Sequence, residues 1–149
     1  MRNILTNKYL QLAARLFVGF IFLYAGLGKI VEPQTFAKEI ANYHILPDFL
    51  INITALVLPW LEVIIGIFLI AGIRIRASAT IASVSMLVFI IAVLSAMIRG
   101  LDINCGCFAD KVVMVGWRKI IEDLIILIAA LLPAIFTQNS FSLENLSSD

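Results

Sequence analysis

The sequence predicts an all-α protein, an integral membrane four-helix bundle with a short interfacial helix in its first loop. Of the 149 residues, 62% are hydrophobic and 14% are charged, whereas soluble proteins are about half apolar and about a quarter charged. A soluble core of this size could not bury so much apolar surface, so lipid must solvate much of it. The formal net charge of +1, with no basic stripe, gives no indication of nucleic-acid binding.

Four apolar segments are long enough to span a bilayer, which takes about 20 mostly apolar residues. They cover roughly residues 9–31, 49–73, 77–98 and 117–136. Short loops between such segments are typical of a compact bundle, so residues 1–149 are predicted to form a single membrane domain. An even number of spans places both termini on one side of the membrane. The first loop then shares the other side with the Cys loop, residues 99–116, and a polar tail, residues 137–149, ends the chain.

The first loop contains an amphipathic pattern after Pro33. Its apolar positions recur at helical spacing and are Phe36, Ala37, Ile40 and Tyr43. This pattern predicts a short helix lying at the membrane interface. His44 is the single histidine of the chain, which excludes a multi-histidine metal site, and no metal site is predicted from these residues.

Charged residues inside the spans are candidates for function, because an ionisable group in the membrane is costly. Glu62 lies near the middle of the second span. Arg15 is its predicted partner, since at 1.5 Å per residue it lies about 7 Å from the midplane. The pair has two interpretations, a structural ion pair that fixes helix register and a proton-relay or quinone site.

Charges near the span ends have a second interpretation, as side chains that extend to the interface. Lys29, at the end of the first span, fits this as well as it fits a functional role. The fourth span opens with predicted interface anchors, Trp117, Arg118 and Lys119. Glu122 and Asp123 follow, and adjacent helix positions diverge by about 100 degrees. We therefore expect one of the two, Asp123, to face the bundle interior.

Both cysteines lie in the Cys loop, where Gly106 separates Cys105 from Cys107. Alternate residues can come within disulfide distance, and glycine provides the backbone freedom that so small a ring needs. An exposed, strained disulfide is of the labile or catalytic kind, and Lys29 or Lys111 could stabilise a thiolate. A Cu(I) site and an inert bridge remain as alternatives. The chain has no other cysteine, so electrons taken from a dithiol must pass to another protein or to a small acceptor such as a membrane quinone.

These residues together resemble the MauE/DoxX family of small four-span membrane proteins. The matching positions are Arg15, Tyr24-Ala25-Gly26-Leu27-Gly28-Lys29, Pro33, Tyr43, Leu46-Pro47, Leu58-Pro59-Trp60-Leu61-Glu62, Gly66, Cys105-Gly106-Cys107-Phe108 and Asp123. The Cys-Gly-Cys-Phe segment is similar to the MauE branch, although Ala109 stands where that branch typically has glycine. The resemblance implies thiol redox chemistry in a membrane bundle. MauE-like members are linked to the maturation of disulfide-containing periplasmic proteins, and DoxX-like relatives to thiosulfate oxidation with quinone or to thiol homeostasis.

The combined prediction is a membrane thiol–disulfide oxidoreductase in which Cys105 and Cys107 exchange disulfide equivalents with a thioredoxin-like or client protein. Arg15, Glu62 and Asp123 are predicted to form a polar cluster below them, with Lys29 nearby. The alternatives are a non-catalytic subunit or assembly factor of a larger complex, and a Cu(I)-binding protein. Other subunits, or a second copy of the chain, are further candidate partners.

The expected location is the bacterial inner membrane, with cytoplasmic termini and a periplasmic Cys loop. Lysine and arginine counts point the other way, with four on the side of the termini and six on the side of the Cys loop. The periplasmic placement follows from the oxidising compartments in which disulfides persist, and from the family resemblance.

Overall fold

The computed structural model describes residues 7–106 and 114–136. Within these residues the chain forms helices joined by short loops, which confirms the predicted all-α fold. They are α1 (Lys8–Val31), α2 (Pro33–Asn42), α3 (Asp48–Ala71), α4 (Ile75–Ile98) and α5 (Trp117–Ile135). A single antiparallel bridge between Asn104 and Met114 is the extended pairing seen in the described part of the chain.

Three helices of the described residues, α1, α3 and α4, are long and apolar enough to cross a membrane. The protein is therefore a membrane protein whose outer surface contacts lipid. The fourth predicted span coincides with α5, which has 19 residues. Charged residues are concentrated in its first two turns and are Arg118, Lys119, Glu122 and Asp123. A membrane crossing by α5 stays a prediction.

Glycines allow α1 and α3 to pack with their backbones close together. A Cβ atom on Gly66 would lie 2.8 Å from both the carbonyl oxygen of Gly19 and the backbone nitrogen of Leu23. A Cβ atom on Gly26 would lie 2.8 Å from the carbonyl oxygen of Pro59. Small residues permit this approach between membrane helices.

The same contacts fix the offset between the two helices. Because Gly26 faces Pro59, the last turns of α1 lie level with the middle of α3. The first turns of α3 extend beyond the end of α1, and α2 packs against α3. As a result, α2 covers the Cys-loop end of the bundle.

The interior of the bundle combines large apolar side chains with small ones. Helix α4 packs mainly against α5. Its small residues are buried, as close helix packing predicts, and they are Ser78, Ala79, Ala82 and Ser83. The central apolar cluster comprises Val18, Phe22, Ile65, Leu69, Ala79, Ala82 and Ala130.

Candidate functional site

Cys105 lies at the Cys-loop end of the bundle and is 1% exposed. It is disulfide-bonded, and the other cysteine of the chain, Cys107, lies outside the described residues. Gly106 has a φ of +71°, a left-handed conformation that glycine adopts without strain, as the need for backbone freedom in this loop predicted. The expectation of an exposed disulfide is wrong for Cys105, because α2 and the bundle cover this residue.

Helix α2 holds three consecutive residues of the Cys loop. Asn104 Nδ2 donates a hydrogen bond of 2.6 Å to Glu39 Oε1, and the Tyr43 hydroxyl donates one of 2.9 Å to the carbonyl oxygen of Cys105. A Cβ atom on Gly106 would lie 2.8 Å from Glu39 Oε2, so the carboxyl group fits closely against this glycine. Glu39 lies on α2 and Tyr43 directly follows this helix. The two residues are four positions apart, and together they hold the loop at several points.

Burial controls the ionisation of these two side chains. Loss of solvent raises the pKa of Glu39, while the charge of Lys29 and the hydrogen bond from Asn104 partly oppose this shift. Burial likewise raises the pKa of Tyr43, and the nearby Asp123 and Glu39 charges add to the effect. Tyr43 therefore stays protonated at neutral pH and can donate its hydrogen bond to Cys105.

A cavity of about 450 Å³ lies beneath Cys105 and Gly106. Its walls are mainly apolar, with side chains from α1, α2, α3, α4 and α5. The polar and ionisable residues that line it are Lys29, Glu39, Tyr43, Glu62, Ser85, Lys119 and Asp123. The cavity thus brings Cys105 together with Lys29, Glu62 and Asp123, four of the residues predicted from the sequence.

Glu62 is paired with Lys29. Lys29 Nζ donates to both carboxylate oxygens of Glu62, at 2.7 and 2.8 Å, and lies 4.8 Å from the centre of the Phe36 ring. The predicted Arg15–Glu62 pair is therefore wrong. Of the two interpretations of Lys29, extension to the interface does not hold, since Lys29 is 5% exposed. The offset between α1 and α3 explains the change of partner, because it brings the end of α1 level with the middle of α3.

Arg15 is buried at a different level of the bundle. Fourteen residues separate it from Lys29 on the same helix, which corresponds to about 21 Å along the axis. It does not line the cavity, so the predicted cluster of Arg15, Glu62 and Asp123 is wrong. Lys29 takes the place that the prediction gave to Arg15.

Asp123 faces the interior, as predicted, and is 1% exposed, whereas Glu122 is exposed. Lys119 donates to Asp123 Oδ1 from one turn earlier and is 4% exposed, so its predicted role as an interface anchor is wrong. The second oxygen, Asp123 Oδ2, is buried without a hydrogen-bond partner among the described residues.

The sequence analysis missed several residues that form the site. Glu39 lies three residues after Phe36 and four before Tyr43, so helical spacing alone could have placed it on the inner face. Lys119 lies four residues before Asp123, the spacing of an ion pair on one helix. The third span was assigned no chemistry, yet α4 forms a wall of the cavity through Val84, Ser85, Met86, Val88, Phe89 and Ala92.

The comparison with known families matches residues 7–136 to the model described as Methylamine utilisation protein MauE. The chain belongs to the MauE family. The matched range contains both lysine–carboxylate pairs and the Cys loop. This confirms the family resemblance drawn from the sequence.

Among similar proteins is the methylamine utilization protein MauE of Paracoccus denitrificans, with 29% identity over 133 residues, 88% of this chain and 72% of that protein. The MauE protein of Methylophilus methylotrophus is 33% identical over 109 residues, 72% of this chain and 57% of that protein. Protein TlpB of Flavobacterium psychrophilum is 24% identical over 129 residues, which cover 80% of this chain and 35% of TlpB. No solved structure matches the chain.

Proposed function

We propose that this MauE-family protein is a membrane-bound thiol–disulfide oxidoreductase that exchanges disulfide equivalents through Cys105 and Cys107. One observation carries the proposal. The disulfide-bonded Cys105 lines a cavity that is also lined by two buried lysine–carboxylate pairs. An inert loop staple needs no such cavity, and ionisable groups inside a membrane protein mark functional sites.

The exchange is a two-electron reaction between two cysteine pairs. A thiolate of the client attacks the disulfide, the S–S bond breaks, and its electron pair stays on the released sulfur. The second client thiol then loses its proton and attacks the mixed disulfide, which frees the client as a disulfide and leaves the chain as a dithiol. Because Cys105 is buried, we assign it as the released sulfur, and the client attacks its disulfide partner.

Groups around Cys105 are suited to the accompanying proton and charge changes. Lys29 provides positive potential in the same cavity, which favours the thiolate form of a released sulfur. Glu39 is a titratable group beside Gly106, and its raised pKa keeps a larger fraction protonated than in an exposed carboxyl group. The pairs Lys29–Glu62 and Lys119–Asp123 keep the buried charges balanced, and they are candidates for taking up and releasing protons.

The reduced dithiol needs an acceptor for two electrons, and the chain has no further cysteine. A membrane quinone is the acceptor that we propose, since it takes up two electrons and two protons when it is reduced. The cavity fits such a molecule, because its walls are mainly apolar and its polar groups lie together near Cys105. Lys29 and Lys119 would offer N–H donors to the head group.

The relatives suggest the setting of this reaction. Several are named methylamine utilization proteins, so we propose that the client is a disulfide-containing protein of a methylamine-utilising system or a thioredoxin-like partner of it. The proposed location is the bacterial inner membrane with the Cys loop on the periplasmic face, where disulfides persist. A reporter fused to the C-terminus and active on the outer face would contradict this orientation.

A non-catalytic assembly factor is the second candidate, and the buried pairs Lys29–Glu62 and Lys119–Asp123 are the observation that favours it. In that case the ion pairs fix helix register and the disulfide only braces the loop. The experiment that separates the two is oxidation of a model dithiol protein by membrane vesicles. We expect Cys105→Ser and Cys107→Ser to abolish the oxidation and Ser95→Ala on α4 to retain it. Full oxidation by Cys105→Ser vesicles would reject the redox function.

A further inference from the structure

Asp123 Oδ2 is a buried carboxylate oxygen without a hydrogen-bond partner among the described residues, and its residue lines the cavity below Cys105. The other carboxylate oxygen, Asp123 Oδ1, accepts a hydrogen bond from Lys119. Buried polar atoms are nearly always satisfied, and an unpaired one costs free energy. An acceptor left open at the wall of a cavity is therefore suited to a ligand that brings a hydrogen-bond donor.

The cavity reaches the outer surface of the bundle beside α4. Val84 and Val88 line it and are nevertheless 55% and 62% exposed. Both lie one turn apart near the middle of α4, a helix apolar enough to span the bilayer. Helix α3 contributes Leu58 and Glu62 to another part of the wall. Because α3 packs mainly against α1 and α4 mainly against α5, the contact between α3 and α4 is weaker, which favours an opening between these two helices.

We propose that the cavity binds the reduced form of a membrane quinone, a quinol, which enters between α3 and α4 and donates a hydroxyl hydrogen bond to Asp123 Oδ2. The proposal rests on the redox function proposed above, and it names a residue and a route for the reduced product of its acceptor. The head group lies below Cys105, and the apolar chain leaves past Val84 and Val88 into the bilayer. A volume of about 450 Å³ falls within the roughly 300–1,000 Å³ of small-molecule sites.

The donor requirement distinguishes the two redox states of the ligand. A quinol carries hydroxyl donors, whereas the quinone carries carbonyl oxygens that only accept. The quinol therefore satisfies Asp123 Oδ2, while the quinone can accept from Lys29 or Lys119 and leaves that oxygen unpaired. A hydrogen bond to a charged group changes affinity by about tenfold or more, so we expect the protein to bind quinol more tightly than quinone by about that factor.

Binding is measured directly in lipid nanodiscs with a short-chain quinol and the matching quinone, each quantified after extraction from the purified protein. The Cys105→Ser variant is used throughout, so that no dithiol reacts with the ligand. Val88→Trp places a bulky side chain in the opening, and Leu87→Trp is the matched control, because Leu87 is exposed on α4 but does not line the cavity. Asp123→Asn tests the hydrogen bond to the ligand.

We expect about one quinol bound per chain, a loss of at least tenfold in Val88→Trp, and no change in Leu87→Trp. Asp123→Asn should reduce the preference for quinol over quinone. Equal binding in Val88→Trp and Leu87→Trp, or recovery of phospholipid in place of quinol, would overturn the inference. Quinol binding does not need the cysteines. If the protein with both cysteines bound quinol but its vesicles did not oxidise a dithiol protein, only the redox function would be contradicted.

Discussion

Lys29, in the last turns of α1, donates to both carboxylate oxygens of Glu62, which lies near the middle of α3. The pair joins two helices at the level of the cavity, and both side chains are largely removed from solvent. Helix offset makes this contact possible, because α3 extends beyond α1 toward the Cys-loop end. The first prediction tests the energy of this pair.

Removing one partner should destabilise the protein strongly, since it leaves an uncompensated buried charge. We expect Lys29→Met to lower the free energy of unfolding by about 3–5 kcal/mol. The double variant Lys29→Met/Glu62→Leu should recover much of this loss, because it removes both charges. Denaturant titration of the purified protein measures the effect. As a control, Arg118→Ala breaks an exposed pair with Glu122 and should leave stability nearly unchanged. A free energy of unfolding equal to that of wild type in Lys29→Met would contradict the pairing of Lys29 with Glu62.

Close contact between α1 and α3 predicts sensitivity to one added methyl group. In Gly66→Ala the new Cβ atom would meet backbone atoms of Gly19 and Leu23 at 2.8 Å, and backbone cannot move aside as a side chain can. We expect a loss of about 1–3 kcal/mol from overpacking, measured as a lower thermal midpoint. Gly116→Ala is the control, because its Cβ atom meets no atom within 4 Å. Equal midpoints for the two variants would argue against the packing described for α1 and α3.

Two glycines separate backbone strain from contact with α2. Gly106 and Gly100 both have positive φ, +71° and +67°, so alanine is strained at either site. Only at Gly106 would the added atom also meet Glu39, whereas at Gly100 it meets nothing within 4 Å. We therefore expect Gly106→Ala to displace the Cys loop and speed reduction of the disulfide by a small thiol, relative to Gly100→Ala. Identical reduction rates would show that α2 does not hold the loop.

The raised pKa of Glu39 predicts a pH dependence of stability. Burial favours its protonated form, so between the ordinary carboxyl pKa and the raised one the folded state binds more protons than the unfolded state. Stability should therefore fall as the pH rises through this window. Glu39→Gln removes the titration and should flatten that part of the curve, with Asp102→Asn as a control on an exposed loop carboxylate. The thermal midpoint measured from acidic to neutral pH tests this, and parallel curves for Glu39→Gln and wild type would contradict it.

Hydropathy and residue spacing predicted the helices well, because lipid imposes a strong constraint on each segment separately. Geometry within one helix also predicted that only one of Glu122 and Asp123 faces the interior, and the choice of Asp123 is confirmed. The partner of Glu62 could not be found in this way. Depth was estimated for each span from its own ends, and this method gives no information on how far α3 is shifted relative to α1. Only packing at Gly26 and Gly66 sets that shift.

The inward position of Glu39 was missed for a different reason. Apolar residues were used to define the buried face of α2, and a carboxylate on that face did not fit the pattern. The structure accommodates Glu39 because Asn104 donates a hydrogen bond to it. In addition, Gly106 has no side chain, which leaves space for the carboxyl group. Such compensation comes from a loop more than 60 residues away in sequence, so local spacing could suggest the position but not the partner.

The most direct test of the central claim is mixed-disulfide trapping in intact membranes. Cys105→Ser and Cys107→Ser each leave one cysteine, and the double variant serves as the control without a thiol. If the pair exchanges disulfides with a client, the thiol of the variant that retains the attacked cysteine should attack the client disulfide in the reverse of the proposed step, and one client sulfur leaves as a thiol. The resulting mixed disulfide, which a small thiol cleaves, should accumulate. We expect that adduct in Cys105→Ser, because Cys105 is buried and is assigned as the released sulfur. Absence of any adduct from both single variants would contradict the redox function and favour a structural disulfide.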